Sequence, residues 1–212
     1  MFYVYSLLLV LIFFILYKSI YFCKKAVPSK IKILSLCALT ALAIRYITVL
    51  ALFLINSIKY LYLLKSIYLL NYVCIPVIAL TAIYILGRSD KIKFNVVYMI
   101  TGSIIILYVI SMILSISSVR LTEFGYTIRI VEPRYFNYGY ILLNLLLVVI
   151  TSMFLNKKHI NKFGSYLAFF TAIAATAELI LMFLGISVFP QNIIGDTMWL
   201  VVYGYAIGQF EK

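Results

Sequence analysis

Arg45, Lys65 and Glu178 each interrupt an otherwise apolar stretch of the sequence. An ionisable group in hydrocarbon is costly unless it pairs or faces a water-filled cavity, so these three are the first candidates for chemistry. What they can do is pair or bind an ion, because none stands beside a group suited to making bonds. The single histidine, His159, lies in the basic segment "NKKHINK", where solvation accounts for it. No paired carboxylate and no nucleophile with an adjacent base is present. Cys23, Cys37 and Cys74 lack metal-site spacing and read as buried free thiols, with Cys23, near a membrane interface, also a candidate for palmitoylation. The expectation is a non-enzymatic protein without metal or cofactor. A retinal Schiff base is excluded too, since no lysine lies between Ile193 and Phe210.

Two readings of the three charges stay open. In one, Glu178 pairs with Arg45 or Lys65 and fixes the register of a helix bundle. In the other, the three surround a polar pocket whose surplus positive charge suits an anionic or carboxyl-bearing ligand. Asp196, Trp199 and Tyr203, at helical spacing, line the same cavity in that second reading; the alternative for Trp199 and Tyr203 is an interfacial aromatic belt. Asn71 and Asn144 read as interhelical hydrogen bonders. Arg129, Glu132 and Arg134 are candidates for screening a ligand at the mouth of the pocket, or else belong to a solvated loop.

The elements that must position these residues follow from composition. Of the residues, 66% are hydrophobic and 11% charged, and mean hydropathy is +1.12, which belongs to a membrane protein. Seven runs approach the length of about 20 apolar residues that a spanning helix needs. They are Phe2 to Tyr21, Ile33 to Ile55, Tyr60 to Leu86, Val96 to Ile116, Tyr138 to Leu155, Ser165 to Leu184 and Ile193 to Phe210. Runs such as "LLLVLIFFIL" are apolar on every face, unlike the alternating strands of a membrane barrel. The fold class is therefore an all-α membrane protein, a seven-transmembrane helix bundle forming one domain over residues 1–212.

"MFYVYS" carries no charge, whereas Lys18, Lys24 and Lys25 follow the first run, so that run reads as a retained anchor with its N-terminus outside. Basic residues support the count: eleven fall in the inner connections and at the inner C-terminus, against Lys59, Arg120, Arg129 and Arg134 outside. The net charge of +12 is then explained by orientation and by membrane lipids, and nucleic acid is not an expected partner. The one long connection, between the fourth and fifth spans, alternates in "SVRLTE" and "YTIRIV" around "FG". It predicts an extracellular β-hairpin capping the bundle, stopped by Pro133.

Three stretches resemble the seven-transmembrane N-terminal sensor region of bacterial histidine kinases: "YLLNYVCIPVIALTAIYILGRSDKI", "YTIRIVEPRYFNYGYILLNLL" and "LGISVFPQNIIGDTMWLVVYGYAI". The resemblance covers nearly the whole chain. It implies a multi-pass cell-membrane sensor or receptor that binds an external small ligand or peptide and signals inward. That family continues into a linker helix and a kinase module, which do not follow Lys212, so the resemblance leaves a fragment of a longer kinase, a stand-alone receptor acting on a separate kinase or other inner-face partner, or a relative put to different use. The alternative is a small-molecule transporter or the substrate-binding subunit of an importer.

Overall fold

The computed structural model describes residues 2–54, 64–87, 93–122, 124–132, 135–155, 161–186 and 189–210. Its helices are α1 (Phe2–Ala26), α2 (Ser29–Leu54), the single turn α3 (Lys65–Tyr68), α4 (Asn71–Gly87), α5 (Asn95–Leu114), α6 (Tyr135–Leu155), α7 (Lys162–Phe183) and α8 (Ile193–Gly208). Two strands, β1 (Ile116–Thr122) and β2 (Gly125–Glu132), lie between α5 and α6. By length and composition, six helices can cross a membrane: α1, α2, the α3–α4 unit from Lys65 to Gly87, α5, α6 and α7. α8 is shorter, at 16 residues or roughly 24 Å. The expected start of the third span, residues 60–63, lies outside the described residues.

The helices begin and end where the local sequence dictates. Pro28 sits just before α2, where a missing N–H costs nothing. Asn161 caps α7, its side chain accepting from Gly164 N–H at 3.1 Å. Between them runs an up-and-down bundle. At one end, Tyr5, the last turn of α2, the end of α5 and the start of α6 meet the hairpin or its neighbours. At the other, Tyr98 donates to Lys30 O, the Gly87 backbone approaches Phe154, and Asn161 meets Tyr205. Lys24, Lys25, Lys30, Lys32, Lys93 and Lys162 belong to this second end.

Outward faces are apolar. Leu7, Val10 and Phe14 on α1 and Met99, Ile106, Leu107 and Ile113 on α5 are exposed, a surface that suits lipid and not water. α8 is enclosed by α1, α4 and α7, with Trp199, Leu200, Val202, Tyr203, Ala206 and Ile207 buried. On α7 the small-residue stripe Gly164, Ala168, Thr171 and Ala175 is buried, which permits close approach of its neighbours. At the crossing with α8, a Cβ built on Gly195 would lie 2.8 Å from Ala175 Cβ and 2.9 Å from Ala175 Cα, so this approach requires glycine.

The antiparallel hairpin forms in the expected place, its first strand starting two residues earlier, at Ile116, with Thr122 opposite Gly125 across the turn. Gly125 has φ +87°, and a Cβ there would come within 2.9 Å of Phe53 Cα. The turn therefore packs directly on the backbone at the end of α2. Tyr5, Phe124 and Phe189 close around it, with ring centroids 5.0, 6.0 and 6.3 Å apart.

Candidate functional site

Arg45 lies on the buried face of α2 and its side chain is fully enclosed. Its guanidinium ties three elements together. Nη1 donates to Asp196 Oδ2 on α8 at 2.8 Å, Nε donates to the Tyr68 carbonyl at the end of α3 at 3.2 Å, and Nη2 donates to Gln191 Oε1 just before α8. Tyr46 O–H donates to the same Asp196 Oδ2 at 3.0 Å, and the guanidinium carbon stands 4.6 Å from the Tyr46 ring centre. A buried charge pair is tolerated only with such further bonds, and here the guanidinium and Asp196 Oδ2 receive them, whereas Asp196 Oδ1 has no hydrogen-bond partner among the described residues. Cys37, on the same helix, is exposed, against the expectation of a buried thiol.

Glu178 takes no part in this pair, against the expectation of an ion pair with Arg45 or Lys65. Its carboxylate accepts from the backbone N–H groups of Ile194, at 3.2 Å, and Gly195, at 2.7 Å. Asn192, the N-cap residue of α8, makes no side-chain cap bond, so a neighbouring helix caps α8 instead. Lys65 behaves in mirror fashion. Its ammonium donates to the carbonyls of Met112, at 3.3 Å, and Ser115, at the C-terminus of α5. The physical reason for both departures is that unpaired backbone groups at helix ends are as demanding as charges, and these side chains reach them first.

Trp199 and Tyr203 do not stand at an interface; both are fully buried along α8. Tyr203 O–H donates to Cys23 Sγ at 3.7 Å, and Cys23 is itself enclosed, which leaves no exposed thiol there for acylation. Asn144 is buried but donates to Tyr140 O within its own helix, at 3.0 Å.

A cavity of about 830 Å³ lies beneath the hairpin. Thr122, Phe124, Thr127, Ile128, Arg129, Ile130 and Val131 come from the hairpin, and Tyr68, Leu69, Asn71 and Tyr72 from α3, α4 and the turn between them. Asn137, Tyr140 and Ile141 come from α6, Leu179, Met182 and Phe183 from α7, and Phe189, Pro190, Gln191 and Asn192 from the turn before α8. Of the sequence-predicted residues, Arg129 lines it; Arg45 stands one contact behind, through Gln191, and Asp196 two, through Arg45. Lys65, Glu178, Trp199 and Tyr203 are not in its wall. Arg134 lies outside the described residues, as does Pro133, and Glu132 is described as the last residue of β2.

Gln191 is the residue that sequence reasoning passed over. It sits in the cavity wall, bonds Arg45, and has φ 63°, a left-handed conformation unusual for a residue with a Cβ. The segment "FPQN" marked a turn, yet nothing in it announces which of its residues takes that conformation. No protein-family model matches the chain, and no curated protein matches it.

Proposed function

We propose that the chain is a non-enzymatic, multi-pass membrane sensor of seven crossings, with the hairpin and N-terminus outside. On this reading α8 is the seventh crossing. Running beside α7 between the Glu178 cap and the Asn161–Tyr205 bond, it is short because protein, not lipid, surrounds it. The clustering of Lys24, Lys25, Lys30, Lys32, Lys93 and Lys162 at the end away from the hairpin supports that orientation. The cell membrane follows as location.

One observation carries the sensing function: Gln191 belongs both to the cavity wall and to the buried Arg45–Asp196 pair. A ligand that favours a different Gln191 conformation shifts α8, whose far end lies at the inner face, where a separate kinase or other signalling partner reads it. The resemblance to histidine-kinase sensor regions supports the same output.

A second reading, a transporter or importer subunit, draws on the interruption at Leu69 and Leu70 between α3 and α4, beside the cavity, and on Pro76 inside α4. Broken spans at a binding site are a transporter feature. Proteoliposomes and empty vesicles incubated with a metabolite extract separate the two. Equal interior contents by mass spectrometry, with a component retained on the protein and lost from Met182→Trp, support the sensor; net accumulation in the proteoliposomes overturns it.

A further inference from the structure

The charges first suspected of attracting a ligand are spoken for: Arg45 by Asp196, Lys65 by the end of α5, Glu178 by the start of α8. What the cavity itself presents is different. Among its described lining residues, Arg129 is the one charged side chain, and no carboxylate accompanies it. Arg129 is exposed, and no ion-pair partner for its guanidinium is found among the described residues.

Several polar groups near it have hydrogen-bonding capacity to spare. Gln191 commits its acceptor oxygen to Arg45, so its remaining capacity is that of a donor. Asn192, 1% exposed, has neither Nδ2 nor Oδ1 hydrogen-bonded, and Asn71, 4% exposed, leaves Oδ1 without a partner. Side chains this buried ordinarily find partners, so their wall is incomplete as it stands. α6 contributes Asn137 and Tyr140, whose buried O–H also lacks a partner, beside Ile141, and α7 contributes Leu179, Met182 and Phe183, which offer hydrocarbon and an aromatic ring. The volume falls in the range that encloses a small organic molecule.

Resting on the ligand-site reading above, we infer that the cavity takes an anionic amphiphile: a carboxylate or phosphate head against Arg129 and the 191–192 amides, and an apolar body along α7 and Ile141. A guanidinium fork matches either head group with paired donors. Such a molecule comes either from water, as a free organic acid, or from the bilayer, as an acidic lipid.

The test uses the whole protein in phosphatidylcholine nanodiscs and tritiated dodecanoate as probe. Unlabelled dodecanoate should displace the probe at least tenfold more effectively than dodecanol or dodecylamine. Arg129→Gln should erase that preference while leaving the melting temperature unchanged. Discs containing phosphatidylglycerol distinguish the sources: suppressed probe binding with retained phosphatidylglycerol identifies the lipid, and unchanged binding the free acid. Displacement by dodecanol or dodecylamine equal to that by dodecanoate, or an Arg129→Gln variant that still discriminates, overturns the anionic class. The ligand site itself survives that result if Met182→Trp or Ile141→Trp, folded by melting temperature, abolishes binding. Absence of any saturable binding that these fillers remove overturns both.

Discussion

Glu178, near the end of α7, holds the first turn of α8 by accepting the Gly195 N–H at 2.7 Å. The contact exists because Gly195 has no Cβ to hold Ala175 away. A backbone donor at a helix start, a carboxylate from the next helix and a missing side chain thus form one joint. Replacing Glu178 with Ala removes both acceptors, and Glu178→Gln retains one oxygen without the charge. Hydrogen exchange at the Ile194 and Gly195 amides should accelerate in the order wild type, Gln, Ala. Equal exchange in all three would mean that α8 is capped by something else.

Gly195→Ala tests the other half of that joint. The added methyl meets Ala175 at a backbone-limited distance, so α7 and α8 must separate. The expected result is a loss of about 1–3 kcal/mol, as for overpacked sites, seen as a lower melting temperature in detergent. Gly208→Ala, where a Cβ has no neighbour within 4 Å, serves as the neutral control.

The Arg45–Asp196 pair should show strong coupling. Arg45→Met alone strands a buried carboxylate, and Asp196→Leu alone strands a buried guanidinium, each at about 3–5 kcal/mol. The double variant should lose clearly less than the sum of the two. Denaturant titrations of the four proteins measure this, and simple additivity would show that the pair does not hold α2 to α8.

These joints show which layer of the structure the sequence discloses. Apolar runs mark α1, α2 and α5 to α7 because lipid demands them, and alternation with a turn glycine marks the hairpin. Arg45 was legible as an interior charge for the same reason. Its partner was not, since which of Glu178 and Asp196 faces it depends on how α2, α7 and α8 pack. Glu178 and Lys65 were misread because a backbone N–H or carbonyl leaves no letter in the sequence. Trp199 looked interfacial by type and position, but α8 is enclosed by three helices and takes it inward.

Orientation is checked with single cysteines in a background lacking Cys23, Cys37 and Cys74. Leu121 is exposed on β1, and Lys162 opens α7 at the opposite end. Leu121→Cys should react with an impermeant maleimide in intact cells, and Lys162→Cys after permeabilisation alone. The reverse pattern would invert the proposed topology.

The Tyr5, Phe124 and Phe189 cluster joins residues from near the start, the middle and near the end of the chain. Contacts that close such long loops are made late, after local helices have formed. Phe124 and Phe189 both line the cavity, so its wall closes with the last of these contacts to form.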